Sequence, residues 1–279
     1  IQGLYAPGST FKMIVAIAGL YYGVINKSTQ HFCSGKISLG DRLYHCWKNN
    51  GHGSMNVENA IKESCDVFFY EISKKIGIDK IAKVAKDFGL GKIYDIPLEN
   101  QKLGIIPSKK WKKDNLDESW YPGETLISAI GQGFVLTNPL QLANMTSIIA
   151  SDGKIIQPKI INDGTMQNIE NIEKYKTAIK IIKSSMFKVV NEVKGTAFRS
   201  KSDEILFSGK TGTSQVRRIT VAERESDDFR KKEVEWNKRD HALFVGYMPY
   251  DNPKYAISVV IEHGGSGAST AAPIAKEIF

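Results

Sequence analysis

Ala6-Pro7-Gly8-Ser9-Thr10-Phe11-Lys12-Met13-Ile14-Val15-Ala16-Ile17-Ala18-Gly19-Leu20 is the stretch from which the rest of the chain is read. Ala6-Pro7-Gly8 is a turn signal, and the run from Thr10 to Leu20 is apolar enough for a buried helix, so Ser9 falls in its first turn, at the positive helix end. Ser9 and Lys12 stand at i and i+3, a spacing that puts side chains about 5–6 Å apart on a helix and lets a lysine amine reach a serine hydroxyl. Alone, such a serine is more often a helix cap than a nucleophile. The same Ser-x-x-Lys pattern recurs at Ser151 to Lys154, where a predicted helix ends, and at Ser185 to Lys188, inside another. Only the first opens a helix.

Two further short motifs follow in order. Ser64-Cys65-Asp66 lies between two predicted helices, and Lys210-Thr211-Gly212 lies in a predicted strand. Ser-x-Asp has a second copy at Ser226 to Asp228, whereas Lys-Thr-Gly occurs once. Ser-x-x-Lys, a Ser-x-Asn-like triplet and Lys-Thr-Gly together form the signature of penicillin-binding proteins and serine β-lactamases. The chain resembles this family along nearly its whole length, through Gly51-His52-Gly53, Ile130-Gly131-Gln132-Gly133, Thr137-Asn138-Pro139-Leu140-Gln141-Leu142-Ala143, Gly195-Thr196-Ala197 and Glu262-His263-Gly264-Gly265. Within it the chain is most similar to the transpeptidase domain of the class B penicillin-binding protein 2 branch, the D,D-transpeptidases of rod-shape elongation.

The resemblance implies an α+β transpeptidase fold of the penicillin-binding protein and serine β-lactamase kind, an antiparallel sheet flanked by helices with an all-helical lobe. It also assigns roles. Ser9 would attack the penultimate D-alanine carbonyl of a peptidoglycan stem peptide and form an acyl-enzyme, with Lys12 taking its proton. A neutral Lys12 requires a shift from ~10.4 to near 7, about 4 kcal/mol of environment, for which Lys210 across the cleft is the source. Ser64 would relay a proton to the departing amine. The backbone N–H groups of Ser9 and Thr213 would hold the oxyanion, and Thr211, Gly212 and Thr213 the substrate carboxylate. Asp66 stands where the wider family has Asn, as the penicillin-binding protein 2 branch tolerates; it either takes part in the chemistry or caps the helix it begins.

The resemblance further implies acylation by β-lactams, elongation-machinery membrane proteins and a glycan synthase as partners, and no organic cofactor. It places the domain in the periplasm, anchored to the inner membrane by an upstream segment. Ile1 follows no charged region, apolar stretch or cleavage site, and the Ser9 motif comes early, so residues 1–279 read as one transpeptidase domain excised from a longer protein. The rival enzyme is a class D β-lactamase, which shares Ser-Thr-Phe-Lys but usually has Ser-x-Val at the second motif. A non-catalytic β-lactam sensor or scaffold is the third reading.

All three cysteines fall in one stretch, Cys33, Cys46 and Cys65, with His52 between the last two. Three sulfurs and an imidazole are a tetrahedral zinc set, and a structural zinc occurs here in some penicillin-binding protein 2 members. Four protein ligands would leave no open position for catalysis. A Cys33–Cys46 disulfide with a buried Cys65, or three free thiols, are the other readings, and His31 or His45 could replace a named ligand.

Outward from these motifs, residues 28 to 56 read as loop, Asn56 as the cap of a short helix through Glu63, and Val67 to Ile76 as a helix. Asp79 is placed as the cap of a helix whose core face is Ile81, Val84, Ala85 and Phe88. Asn138-Pro139-Leu140-Gln141 reads as a cap, a first-turn proline and a capping-box glutamine for a helix to Ser151. Leu206 to Val216, Ala242 to Met248 and Tyr255 to Glu262 read as antiparallel strands, closed by a helix from Thr270 to Ile278 over one face. Helices on one side and a sheet drawing on both chain ends follow. His241 is assigned a strand edge and no chemistry.

Composition agrees: 279 residues, 42% hydrophobic and 24% charged, exclude a disordered, fibrous or spanning chain. Lysine plus arginine is 38 against 30 acidic residues, hence +8. The basic clusters at Lys109, Lys110, Lys112, Lys113 and at Arg230, Lys231, Lys232 are not interleaved with aromatics, so they read as solvated surface and not as a nucleic-acid site. The charged stretch from Arg217 to Arg239 reads as a solvated loop.

Overall fold

A computed structural model describes residues 1–162, 164, 169–217 and 234–279. The Ser226 to Asp228 copy, the Arg230-Lys231-Lys232 cluster and most of the Arg217 to Arg239 stretch lie outside the described residues.

The structure is built around α1 (Lys12–Tyr21). Met13, Ile14, Val15, Ala16, Ile17 and Ala18 are all fully buried, so this helix is enclosed on every side. That is why its sequence is apolar all round and not striped. It packs against α3 (Asp66–Ile76), α4 (Ile78–Asp87) and α8 (Lys176–Asn191). Asn56 caps α2 (Val57–Lys62) through its side chain. Asp79 does not cap α4: Gly77 occupies that position with φ +78°, and the Asp79 carboxylate instead accepts from the Lys109 N–H of the next helix, α5 (Lys109–Leu116). The predicted face of Ile81, Val84, Ala85 and Phe88 is buried.

Residues 28 to 56 are loop only in part, with 46–52 irregular. They form two antiparallel ribbons, β1 (His31–Cys33) with β4 (Gly53–Met55), and β2 (Lys36–Leu39) with β3 (Arg42–His45). The strands are three or four residues long; β2, Lys36-Ile37-Ser38-Leu39, alternates in polarity and in burial, but the other three do not, so a period of two does not run through the segment. The helical lobe therefore carries β structure, contrary to the all-helical expectation.

The main sheet is β7 (Ser208–Ser214), β8 (His241–Met248) and β9 (Tyr255–Ile261), antiparallel in that order. All of it comes from the C-terminal third; the N-terminal segment contributes a Tyr5 to Thr137 bridge instead of a strand. Helices are not confined to one side. Ala242 through Tyr247 of β8 are buried without alternation, so both faces of the central strand are covered, and α7 (Pro139–Ala150) and the C-terminal helix Ala272–Ile278 both pack against it. Asn138 caps α7 as expected. Gln141 is no capping-box partner: its amide donates to the carbonyls of Lys92 and Leu103, pinning the preceding loop. The strand β7 is a sheet edge, and α8 packs against it.

Candidate active site

Ser9 lies in a 3-10 turn, Gly8–Phe11, that runs into α1 at Lys12. The first turn is tighter than the expected α-helix because Gly8 is pressed between two backbones. Its N–H donates to the Gly131 carbonyl at 2.9 Å, its φ is +54°, and a Cβ there would stand 2.5 Å from the Thr213 carbonyl oxygen. Gly131 is equally constrained, since a Cβ on it would strike the Gly8 carbonyl. The Gly131-Gln132 segment thus sits against the Ser9 turn, and the Gln132 amide donates to the Thr213 carbonyl at 3.1 Å, tying the same segment to β7. In a 3-10 turn residues i and i+3 eclipse, so Ser9 and Lys12 share one side of the chain.

Lys12 is fully buried, and its ammonium has three hydrogens to place. They go to the Ser64 carbonyl at 2.9 Å, the Ser64 hydroxyl at 3.2 Å and Asp66 Oδ1 at 2.6 Å. Lys12 is therefore committed to the second motif, and Ser9 is not among these acceptors.

Ser64 joins α2 to α3 with φ +56°, a left-handed conformation costly for serine. The chain turns there to lift its hydroxyl into the cleft. That oxygen accepts from Lys12 and, at 2.9 Å, from Lys210 Nζ. With both lone pairs engaged, its own proton is left to donate. Lys210 is also fully buried, on β7, and its second hydrogen bond goes to the Thr211 carbonyl. Burial, reinforced by the Lys12 charge and opposed by Asp66, pushes Lys210 well below the usual lysine value. The structure thus places the depressed amine at Lys210, while Lys12 carries a carboxylate partner.

Asp66 begins α3 but does not cap it; Cys65 holds the cap position. One carboxylate oxygen takes the Lys12 ion pair and the other accepts from the Trp47 N–H at 2.8 Å. Burial pushes the carboxyl up from its ordinary value, against the pull of Lys12. An asparagine could not accept at both oxygens.

Thr211 Oγ1 bonds Thr196 Oγ1 at 2.7 Å. Ser9, Ser64, Asp66, Thr211, Gly212 and Thr213 all line one cleft of about 870 Å³. The sequence reading of the site did not include Thr196, Gln132 or the β2–β3 hairpin, which also line it. Gly131-Gln132-Gly133 and Gly195-Thr196-Ala197 were visible as family segments, but only folding shows which side chains face the cleft. The two other Ser-x-x-Lys copies are structural. Ser151 and Ser185 hydroxyls bond the carbonyls four residues back, and Lys188 pairs with Glu58. His241 begins β8 opposite Ser214, and its Nδ1 accepts from the His263 N–H.

Beside this site the donor atoms of Cys33, Cys46, His52 and Cys65 lie within 4.8 Å of one another. No disulfide joins the cysteines. His52 Nδ1 stands 3.6 Å from Cys33 Sγ and 3.5 Å from Cys46 Sγ. A tetrahedron with Zn–S ~2.3 Å and Zn–N ~2.0–2.1 Å has S···N edges of about 3.6 Å, so the set fits zinc. Burial pushes the Cys33 thiol up, while a hydrogen bond from Cys65 drives Cys46 toward thiolate. His31 packs on Phe68 and His45 faces the cleft; neither replaces a ligand in this set. Cys46 Sγ also accepts from the Asp66 N–H at 3.3 Å, so the cluster touches the second motif.

The family described as penicillin binding protein transpeptidase domain matches residues 1–279. A peptidoglycan D,D-transpeptidase MrdA of Haemophilus influenzae is 34% identical over 291 residues, which take in 100% of this chain and 44% of the relative. A penicillin-binding protein PBP2 from Helicobacter pylori, solved in complex with MreC, superposes with a TM-score of 0.89 at 32% identity, covering 99% of this chain and 49% of that one. Pseudomonas aeruginosa PBP2, solved with WCK 5153, gives 0.85 at 34% identity, with 100% and 61% covered. The chain spans less than half the length of the curated relative. No helix among the described residues is long and apolar enough to cross a membrane.

Proposed function

The chain belongs to the penicillin-binding protein transpeptidase family, and from that premise we propose that it is the acyl-transfer domain of a peptidoglycan D,D-transpeptidase of cell-wall elongation, acylated by β-lactams at Ser9. The observation that carries this reading is the meeting of three motifs on one oxygen: Lys12 and Lys210 both donate to Ser64 Oγ, beside a cleft that Ser9 also lines.

Ser9 Oγ attacks the penultimate D-alanine carbonyl, forming the C–O bond as its proton passes to Lys12 Nζ. Lys12 becomes a base by yielding a proton along the 2.6 Å bond to Asp66, whose burial favours the acid form. The oxyanion rests on the Ser9 and Thr213 N–H groups. Ser64 gives its free proton to the departing amine as the C–N bond breaks, and the proton that Lys12 took from Ser9 passes along the 3.2 Å bond to Ser64, with Lys210 holding the same oxygen. Thr211, Gly212 and Thr213 hold the terminal carboxylate of the substrate. A second strand's amine then attacks the ester; the new C–N bond forms, the acyl C–O bond breaks, and the proton lost by the amine passes to Ser9 Oγ.

The Cys33, Cys46, His52 and Cys65 set would hold a structural zinc, which supplies a cross-link between the β1, β3 and α3 segments and no open coordination site. Location outside the cytoplasmic membrane and elongation-machinery partners follow from the same reading, supported by the similar H. pylori protein solved with MreC.

The test is intact mass after incubation with a penicillin, with metal content measured on the same sample. A persistent adduct lost in Ser9→Ala supports the transpeptidase. Rapid loss of the adduct with accumulating hydrolysed drug would make the chain a β-lactamase.

A further inference from the structure

The hairpin of β2 and β3 projects from the cysteine cluster into the cleft. Its base is closed by the Cys46 N–H to Gly35 carbonyl bond at 2.7 Å, between Cys33 and Cys46. Along its length Tyr44 lies against Gly123, where a Cβ would strike the phenol oxygen, and its ring meets Tyr70 at 5.9 Å. Tyr70 in turn donates to the His45 carbonyl at 3.2 Å. The arm is braced from both sides. At its tip Gly40, with φ +57°, makes the tight turn that presents Asp41 and Arg42, and both line the same cleft as Ser9.

Asp41 and Arg42 are exposed, and neither has an ion-pair partner among the described residues. A braced arm carrying an unpartnered acid and base into a substrate cleft has no evident folding role. The cleft volume of about 870 Å³ lies within the 300–1,000 Å³ that bury most of a drug-sized ligand, more than a terminal dipeptide fills. Tyr44 and Ile130 supply apolar wall for the intervening chain.

We infer that the Asp41-Arg42 tip is a peptide subsite that reads a stem-peptide side chain ending in both a carboxylate and an ammonium. The inference rests on the transpeptidase reading. The planar guanidinium fork of Arg42 takes the carboxylate in two parallel hydrogen bonds, and Asp41 takes the adjacent ammonium. Specificity arises because a side chain that lacks either group leaves one of this pair without its charged partner.

The experiment measures how well three stem pentapeptides slow penicillin acylation of Ser9 in the full chain. They differ in one side chain, which ends in amine plus carboxylate, amine plus carboxamide, or amine alone. In wild type the first peptide should be effective at about tenfold lower concentration than the second, the value of one charge-assisted hydrogen-bond pair. Arg42→Gln should erase that difference by weakening the first peptide alone, and Arg42→Lys should recover part of it. Asp41→Asn should leave the carboxylate preference and weaken all three peptides, which share the amine. Equal potency of the three on wild type, no protection by any of them, or equal weakening of all three in Arg42→Gln would overturn the subsite while leaving the transpeptidase intact. A wild type that penicillin does not acylate would overturn both.

Discussion

The Lys210 amine lies 2.9 Å from the Ser64 hydroxyl, a residue 146 positions earlier in the chain. Lys12 reaches the same oxygen at 3.2 Å, so two lysines converge on one acceptor inside a buried pocket. Their mutual repulsion adds to burial, and Lys210 is the one driven toward the neutral amine.

Lys210→Met should lower the rate of penicillin acylation by about 10²–10³, the usual weight of a positioned proton-transfer group. Stability should hold or rise, because a desolvated amine gives way to apolar contact. Stopped-flow acylation and thermal unfolding of the same sample separate the two effects. An unchanged rate would remove Lys210 from the proton path.

Lys210 also fixes the sign of a pH dependence. Its folded value lies below the ordinary 10.5, so between the two values the unfolded chain binds more protons than the folded one. Unfolding free energy therefore rises with pH through that window. Urea denaturation of wild type and Lys210→Met at increasing pH should show wild type gaining on the variant as 10.5 is approached. Parallel curves would mean that Lys210 keeps its charge on folding.

Chelation should remove one zinc per chain and lower stability by about 4 kcal/mol if the metal is present at a thousand times its dissociation constant. Acylation should slow with it, because Cys46 Sγ accepts from the Asp66 N–H. Cys33→Ser, whose thiol is remote from Asp66 in sequence, should reproduce the metal loss. Native mass spectrometry that finds no metal in wild type would leave the four donors as thiols and a histidine.

Gly131→Ala should cost ~2 kcal/mol or more, since its φ is +70° and a Cβ would meet the Gly8 carbonyl. Ser9 acylation should be lost with it. Gln132→Ala, which deletes only the 3.1 Å bond to the Thr213 carbonyl, should cost about 1 kcal/mol and slow acylation several-fold. Equal damage from the two variants would show that the side-chain bond, and not backbone contact, seats the nucleophile turn.

The sequence by itself determined the candidate site residues and the long elements. Ser9, Lys12, Ser64 and Lys210 were legible because short motifs carry fixed residue types, and α1, α7 and the C-terminal strands because burial or capping marks them over many residues. The clustering of Cys33, Cys46, His52 and Cys65 could be read from composition within one stretch.

Tertiary structure alone decided partners. That Lys12 gives all three hydrogens to the second motif, that Asp66 bridges Lys12 and Trp47 instead of capping α3, and that Thr196 backs Thr211 depend on contacts between residues far apart in the chain. The β2–β3 hairpin was hidden for the converse reason. Only β2 alternates, over four residues, and β3 does not, while the hairpin is held in place by Tyr70, Gly123 and the cysteine cluster, none of which leaves a mark on residues 36–45 themselves. Local sequence records what a residue needs from its neighbours in the chain; charge placement and cleft walls are set by whichever distant groups the packed core brings beside it.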